Sequence, residues 1–370
     1  MPRSKLPHKT IPFFRPRIGL RDVNAVLKTL SKGALTQGPA ITEFERKLEE
    51  KLDVPHVVSC NSGTSALILS LRALGIGPGD EVLVPNYTFV ATANAVLLVG
   101  ARPVLVDVEP DYFCIDPDLL EAAITPDTRA VIGVHLFGQP ADLDRIQKIC
   151  RSRGLYLIED AAQSLGAKFE GRLVGSFGDS SALSFFPSKN ITTGEGGAST
   201  FQSEEHAIRA SMLRSQGQSS TYNFEEPGFN FRLDSLSAAL GTTQLSRLDK
   251  FVHERRSRAA LYDTHLPNNL LPARREASFH SFNQYVIKVP LQKRDSLISE
   301  LAKVGIATKV YYPNSLEEVP FLQDSRRVTN GTGASLSRTL LALPILPPIG
   351  LHRFKTLAVT VGRVAREVLA

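Results

Sequence analysis

A lysine acts as a covalent catalyst only when its amine is neutral, which requires burial beside apolar groups or another cation to lower its pKa. The stretch Ser184-Phe185-Phe186-Pro187-Ser188-Lys189-Asn190-Ile191-Thr192-Thr193-Gly194-Glu195-Gly196-Gly197 offers Lys189 such a setting. Phe185 and Phe186 supply apolar walls, and the three glycines let the following backbone turn tightly and approach a planar ligand. A lysine on a surface turn would have the same neighbours, so this segment alone leaves both readings open.

Two further groups carry complementary chemistry. Asn61-Ser62-Gly63-Thr64-Ser65 stands at an expected strand-to-helix junction, where helix N–H groups and hydroxyls cradle a phosphate dianion. Ordinary N-capping explains the same residue types, and no Gly-Lys-Ser/Thr follows to make a Walker loop. Glu159-Asp160 closes an apolar run, and an acid at a buried strand end needs a partner such as a heteroaromatic N–H⁺. A carboxylate favoured by the dipole of a following helix is the competing explanation. Together, an anion cradle, a strand-end aspartate and a later buried lysine are the parts needed to hold pyridoxal phosphate by its phosphate, ring nitrogen and aldehyde.

The elements that must position these groups are legible between about residues 55 and 200. Val57–Ser59, Glu81–Pro85, Pro103–Asp107, Ala130–His135, Leu155–Glu159 and Ala182–Phe185 read as buried strands. Between them Ser65–Leu74, Val90–Val99, Leu119–Ile124 and Asp142–Arg153 carry apolar residues at helical spacing. Alternation of this kind predicts βαβ units and a largely parallel sheet, with ligands beyond the carboxyl ends of the strands. Farther on, one helix is expected from Ser235 to about Tyr262, a strand over Phe282–Val289, and helices over Arg294–Val304 and His352–Val368. The expected organisation is a segment 1–20, a large α/β domain over 21–250 and a smaller α+β domain over 251–370.

Composition removes several function classes. The chain has 370 residues, 42% hydrophobic and 22% charged, with no long single-sign run, so it is globular and long enough for about two cores. No apolar run is long enough for a membrane span, and Met1–Lys9 leads into no apolar h-region, so a cytoplasmic protein is expected. Cys60, Cys114 and Cys150 lack paired metal spacing and read as reduced, buried thiols; no metal is expected. The net charge of +6 is scattered, which favours weak steering of anionic small molecules over a nucleic-acid footprint.

The ordered series resembles the DegT/DnrJ/EryC1/StrS sugar aminotransferases, a group of fold-type I pyridoxal phosphate enzymes. The similarity runs from Gly38-Pro39 and Glu43-Phe44-Glu45 through Glu81–Pro85, Thr88-Phe89-Val90-Ala91-Thr92 and His135-Leu136-Phe137-Gly138-Gln139-Pro140. It continues through Glu159-Asp160-Ala161-Ala162-Gln163, Ser184 to Lys189, Gly194–Gly197, Asn230-Phe231-Arg232 and Gln244-Leu245. The resemblance implies a large domain with a mostly parallel seven-stranded sheet flanked by helices, plus a smaller C-terminal domain. It implies that Lys189 binds the cofactor aldehyde and then serves as general base, and that Asp160 keeps the pyridine nitrogen protonated. Phe89 would stack on the ring, though plain core packing is the alternative. Gln163 would contact the ring hydroxyl, and Thr64, Ser65 and Ser184 would bind phosphate. Asn230 would reach the phosphate of a neighbouring subunit's cofactor, placing the site at a homodimer interface.

The implied reaction moves an amino group from L-glutamate, through pyridoxamine phosphate, to a keto group of a nucleotide-linked deoxysugar. Two departures fall on the acceptor side. Leu316-Glu317-Glu318 stands where many relatives carry Leu-His, and Gln216 stands where many place histidine, while Tyr312 is retained. Glu317 near a diphosphate would be unfavourable unless it faced a hydroxyl, so a free keto-cyclitol is an alternative acceptor. The dehydratase branch replaces the lysine by histidine, which Lys189 opposes. A non-catalytic sensor would be expected to lose Lys189 or Asp160 or to gain a DNA-binding domain, and none of these is seen in the sequence.

Overall fold

The computed structural model describes residues 11–346 and 348–370; Met1–Lys9 lie outside the described residues. The strands that matter here are β1 (His56–Cys60), β2 (Glu81–Pro85), β3 (Arg102–Val106), β4 (Thr128–Val134), β5 (Tyr156–Asp160), β6 (Ser180–Ser184), β7 (Gly197–Phe201), β8 (Tyr285–Lys288), β9 (Arg327–Val328) and β10 (Leu340–Leu343). The helices used below are α1 (Leu20–Ser31), α2 (Pro39–Leu52), α3 (Gly63–Ala73), α4 (Ala91–Leu98), α5 (Pro117–Ala122), α6 (Leu143–Arg153), α7 (Glu204–Arg214), α8 (Ser235–Leu245), α9 (Leu248–His265), α10 (Leu291–Lys303), α11 (Thr332–Thr339) and α12 (Leu351–Leu369).

Among the described residues the central sheet has eight strands in the order β1, β7, β6, β5, β4, β2, β3, β9. Seven come from residues 56–201, the number the resemblance implies, six of them at the expected places and the seventh, β7, not foreseen; the eighth, β9, is a two-residue addition from the C-terminal third that runs parallel to β3 through Arg327↔Leu105 and Val328↔Val106. Only β7 runs against its neighbours, β1 and β6. The remaining pairs are parallel, joined by helical crossovers, as buried βαβ units must be.

Strand alternation sends side chains to both faces. Val82, Val84, Ile132 and Ile158 enter one apolar cluster with Leu69 and Val96, while Leu83, Val131, Leu157 and Leu183 enter another with Phe44, Leu48 and Ile146. Each such fully buried Leu, Val or Ile contributes roughly 1.5–3 kcal/mol relative to exposure. A third cluster gathers Tyr262, Leu297, Phe354, Leu357 and Val361 around Tyr285 and Ile287 of the antiparallel pair β8–β10. Among the described residues no helix is long and apolar enough to cross a membrane.

The single helix expected over 235–262 is two, α8 and α9, broken at Ser246-Arg247. Side chains cause the break. The Ser246 hydroxyl donates to the Thr243 carbonyl at 2.8 Å and Arg247 Nε to the same oxygen at 3.2 Å, while the Arg247 amide turns to Gln244 O at 3.0 Å. Local competition for a helix carbonyl of this kind redirects the chain without Gly or Pro.

Register brings the chemistry to one edge. Val134 pairs with Asp160, Asp160 with Ala182, Ser184 with Gly197, and Gly197 with Cys60. The carboxyl ends of β1, β4, β5 and β6 and the amino end of β7 therefore meet at a single edge, and β2 ends there too, feeding Tyr87 to Phe89.

Candidate active site

At this edge lies a cavity of about 350 Å³ lined by Thr64, Phe89, Asp160, Gln163, Ser184 and Lys189 among others. Its volume lies in the range of small-molecule sites. Lys189 is half-buried: its side chain faces the cavity and is otherwise surrounded by protein. Desolvation pulls its pKa down to about 8, with the charge of Asp160 opposing the shift.

Asp160, at the end of β5, is buried and accepts from Thr92 Oγ1 at 2.9 Å and from the Ala162 amide at 3.2 Å. Burial pushes its pKa up despite these bonds and the nearby Lys189. A carboxylate in that condition lacks a close cation, and a pyridinium N–H⁺ would supply one. Thr92, in the first turn of α4 and four residues after Thr88, whose hydroxyl lies 3.3 Å from its own, escaped sequence assignment.

Beneath the floor, Glu159 points the other way and is fully buried. It accepts from His135 Nε2 at 3.0 Å, from the Gly175 amide at 2.8 Å, from Phe177 at 2.7 Å and from Gly178 at 2.8 Å. Burial alone would raise its pKa, but the bonds from His135 and the backbone outweigh it and hold the group below the ordinary glutamate range. The Ala141 amide donates to His135 Nδ1 at 3.0 Å, so a neutral ring carries its proton on Nε2, toward Glu159. This network anchors β4 to β5 directly behind Asp160.

At the opposite end, α3 begins at Gly63 and leaves the N–H groups of Gly63 and Thr64 outside its own hydrogen bonding. Close packing shapes this cradle: a Cβ on Gly63 would sit 2.9 Å from Ser184 Cβ. Ser65 is held away from the cavity, its hydroxyl donating to Asn61 Oδ1 at 2.6 Å and lying 2.8 Å from Ser62 Oγ. Of the glycines after Lys189, Gly197 packs directly against this cradle. Gly194 adopts φ +89°, and a Cβ on Gly197 would lie 2.3 Å from Ser62 O and 2.8 Å from Gly63 N, both backbone atoms. A Gly197→Ala protein is therefore expected to lose about 3 kcal/mol of stability and much of its cofactor affinity. Thermal melting with and without pyridoxal phosphate checks this; a melting point within a degree of wild type would contradict it.

Gln163 is oriented from both ends: its Oε1 accepts from the Phe137 amide at 3.1 Å, and its Nε2 donates to the Tyr312 hydroxyl at 2.7 Å. Tyr312 faces the cavity, with its ring centroid 5.6 Å from that of Phe89. Phe89 is 52% exposed, which removes core packing as its role. Glu317, Gln216 and Asn230 stand apart from this cavity within one chain. Glu317 accepts from Thr329 Oγ1 at 3.2 Å while its amide donates to Asn86 Oδ1 at 3.0 Å. Gln216 occupies a turn at φ +69°, its amide bonded to Phe229 O, and Asn230 bridges to the adjacent Ser215.

The geometry fits pyridoxal phosphate: an anion cradle, a buried carboxylate awaiting a cation, and a lysine of lowered pKa face one cavity of suitable size. Known proteins agree with that reading. Residues 16–361 match the DegT/DnrJ/EryC1/StrS aminotransferase family. A UDP-N-acetyl-3-dehydro-alpha-D-glucosamine 3-aminotransferase of Acidithiobacillus ferrooxidans is 38% identical over 349 residues, covering 93% of this chain and 94% of its own. A dTDP-3-amino-3,4,6-trideoxy-alpha-D-glucose transaminase of Streptomyces venezuelae is 38% identical, covering 87% and 86%. Spr1654 of Streptococcus pneumoniae, described as a sugar aminotransferase and solved in its PLP form, superposes with a TM-score of 0.91 at 31% identity, covering 98% and 100%. The fold is that of the fold-type I pyridoxal phosphate enzymes. The chain belongs to the DegT/DnrJ/EryC1/StrS aminotransferase family, and with that membership go sugar transamination and pyridoxal phosphate as cofactor.

Proposed function

We propose that this enzyme transfers an amino group from L-glutamate to the keto group of a nucleotide-linked deoxysugar, with Lys189 as the catalytic lysine. The observation that carries the residue assignment is Lys189, its pKa lowered, sharing one cavity with the buried Asp160. When bound, pyridoxal phosphate supplies the electron sink for the carbon that exchanges its amino group. Lys189 Nζ would hold the cofactor through its aldehyde carbon, and the same amine, when free, would carry the proton at the reacting carbon. Asp160 would pair with the ring nitrogen and keep it protonated, while Thr92 holds the carboxylate in place. Thr64 and Ser184 bind the phosphate with the first amides of α3; Ser65 joins them only by giving up its bonds to Asn61 and Ser62. Phe89 would cover one ring face. Gln163 retains one amide N–H beyond its bond to Tyr312, enough for a ring oxygen.

We assign Asn230 and Gln216 to the partner subunit's site in a homodimer. Their shared loop region lies outside the lining of their own cavity and is tied to its edge through Asn61, whose amide donates to Phe231 O at 2.8 Å, and apolar side chains are exposed nearby at Tyr222 and Phe224. Leu20, Val23, Leu27 and Leu30 form a further exposed apolar stripe along α1, which self-association would cover. Residues 251–370 form the smaller domain in this reading, with Tyr312 as its contribution to the acceptor side and Glu317 close behind.

Because only the neutral amine attacks a carbonyl, capture of pyridoxal phosphate by the apoprotein should accelerate about tenfold per pH unit below 8 and level off above it. Stopped-flow absorbance across pH 6–10 checks this; a rate indifferent to pH below 8 would contradict it. The acceptor is tested by loading the enzyme with L-glutamate and offering UDP-, GDP- and dTDP-linked keto sugars beside free keto-cyclitols, with product mass as readout. Amination of a cyclitol alone would overturn the nucleotide-sugar assignment.

A further inference from the structure

Behind Lys189, on the side away from the main cavity, the chain encloses a second cavity of about 20 Å³. Arg15, Arg17, Ser188, Gln244, Phe251 and Arg255 are among its walls. It shares Phe14, Ser188 and Lys189 with the active-site cavity and Arg15, Pro16, Arg17 and Phe251 with an open groove that also carries Arg247 and Lys250. The groove gives it a route to solvent lined by cations.

Arg255, from α9, is 2% exposed. Its Nη1 donates to the carbonyls of Asn283 at 3.0 Å and Phe282 at 3.3 Å, and its Nη2 to the carbonyl of Lys189 at 3.3 Å. Nε, although buried, has no hydrogen-bond partner. None of the partners of Arg255 among the described residues is a carboxylate, and residues 1–10 and 347 contain no Asp or Glu. No acidic residue lines the cavity. The neighbouring carboxylate, Glu254, is ion-paired with Arg17. Desolvation, reinforced by the charges of Arg258 and Arg17, drives the pKa of Arg255 down to about 9, with Glu254 opposing. A guanidinium keeps its proton at neutral pH even so, and a buried charge without a counter-ion is strongly unfavourable.

We propose that this cavity binds one small monovalent anion, which accepts from Arg255 Nε and offsets the charge of Arg255, beside Arg15 and the Glu254-paired Arg17 on its wall. The volume admits a single occupant of about the size of a water molecule. Water would satisfy the Nε–H but leave the charge uncompensated; a halide does both. Because the same guanidinium donates to the Lys189 carbonyl, an anion on Nε braces the lysine segment from behind. The site is separate from the α3 cradle assigned to phosphate, and its occupancy does not depend on the identity of the sugar substrate.

Two experiments test it on the full chain. Melted in potassium gluconate and then in potassium chloride at constant ionic strength, the wild-type protein should gain about 2–4 °C in Tm, saturably, with chloride. Arg255→Leu should lose that gain and Arg17→Gln should reduce it, whereas Arg363→Gln, on the far exposed pair with Glu367, should keep it. Should Arg255→Leu fail to fold, wild-type crystals soaked in bromide decide the matter, since an anomalous peak within hydrogen-bond reach of Arg255 Nε is expected. Equal melting in the two salts overturns the proposal. So does an ordered water, or a carboxylate of a partner subunit, at Nε with no anomalous signal.

Discussion

Lys189→Ala is expected to lower transamination by about 10⁴-fold or more while leaving the fold intact, measured as single-turnover conversion of a glutamate-loaded preparation. The size of the loss follows from two roles that fall on one atom, holding the aldehyde carbon and carrying the proton, for which no other amine in the cavity can substitute. The same substitution separates catalysis from stability. The Lys189 pKa of about 8 lies below its ordinary value of 10.5, so the native state binds fewer protons than the unfolded state between those values. The cost of burying the charged amine is therefore full below about pH 8 and fades as pH rises toward 10.5. Apo Lys189→Ala should melt at or above apo wild type at pH 7, and the gap should close by about pH 10.5. A variant that melts well below wild type at pH 7 would point to a structural lysine instead.

Asp160→Asn should lower kcat by roughly 10²–10⁴-fold, the range given by about 3–5 kcal/mol for breaking a buried charge pair. Asparagine fills the same volume and its carbonyl still accepts from Thr92, so the change removes the charge together with one weak bond, that from the Ala162 amide at 3.2 Å. The sign on stability runs the other way without cofactor. Burial raises the Asp160 pKa, so the native apoprotein holds a proton more tightly than the unfolded chain, and the ionised group costs stability at neutral pH. Apo Asp160→Asn should thus be as stable as apo wild type or more so at pH 7. The stabilisation that pyridoxal phosphate adds should shrink in the variant, read as the difference in Tm with and without cofactor. Wild-type kcat in this variant would remove Asp160 from the ring nitrogen.

Much of the architecture was legible because parallel strands buried on both faces are near-continuous apolar runs bounded by turns. Leu155–Glu159 against the observed Tyr156–Asp160, and Ala130–His135 against Thr128–Val134, differ only at their ends. The strand Gly197–Phe201 escaped because Gly, Ala, Ser and Thr carry little apolar signal; it is defined by its two neighbours, β1 and β6. Arg327–Val328 escaped for a related reason, since a two-residue strand has no periodicity and exists only where β3 offers an edge. The helix break at Ser246-Arg247 depends on side chains competing for one carbonyl, which no hydrophobic pattern records.

In the site, the lysine, the strand-end aspartate and the first turn of α3 could be located from residue type and order alone. What spacing could not give was orientation. Ser65 is adjacent to Thr64, yet one hydroxyl is committed to Asn61 and Ser62 while the other residue faces the cavity. Gln163 is fixed by Phe137 and Tyr312, contacts that span 26 and 149 residues. Glu317 and Gln216 do not line the cavity of their own chain, which residue type and order gave no means of telling.

The most direct measurement is chemical. Holoenzyme reduced with borohydride, digested and sequenced by mass spectrometry should carry a single pyridoxyl label, on the peptide containing Lys189, and the label should be absent after incubation with L-glutamate before reduction. A label on any other lysine, or an unlabelled Lys189 in protein that still transaminates, would contradict the account.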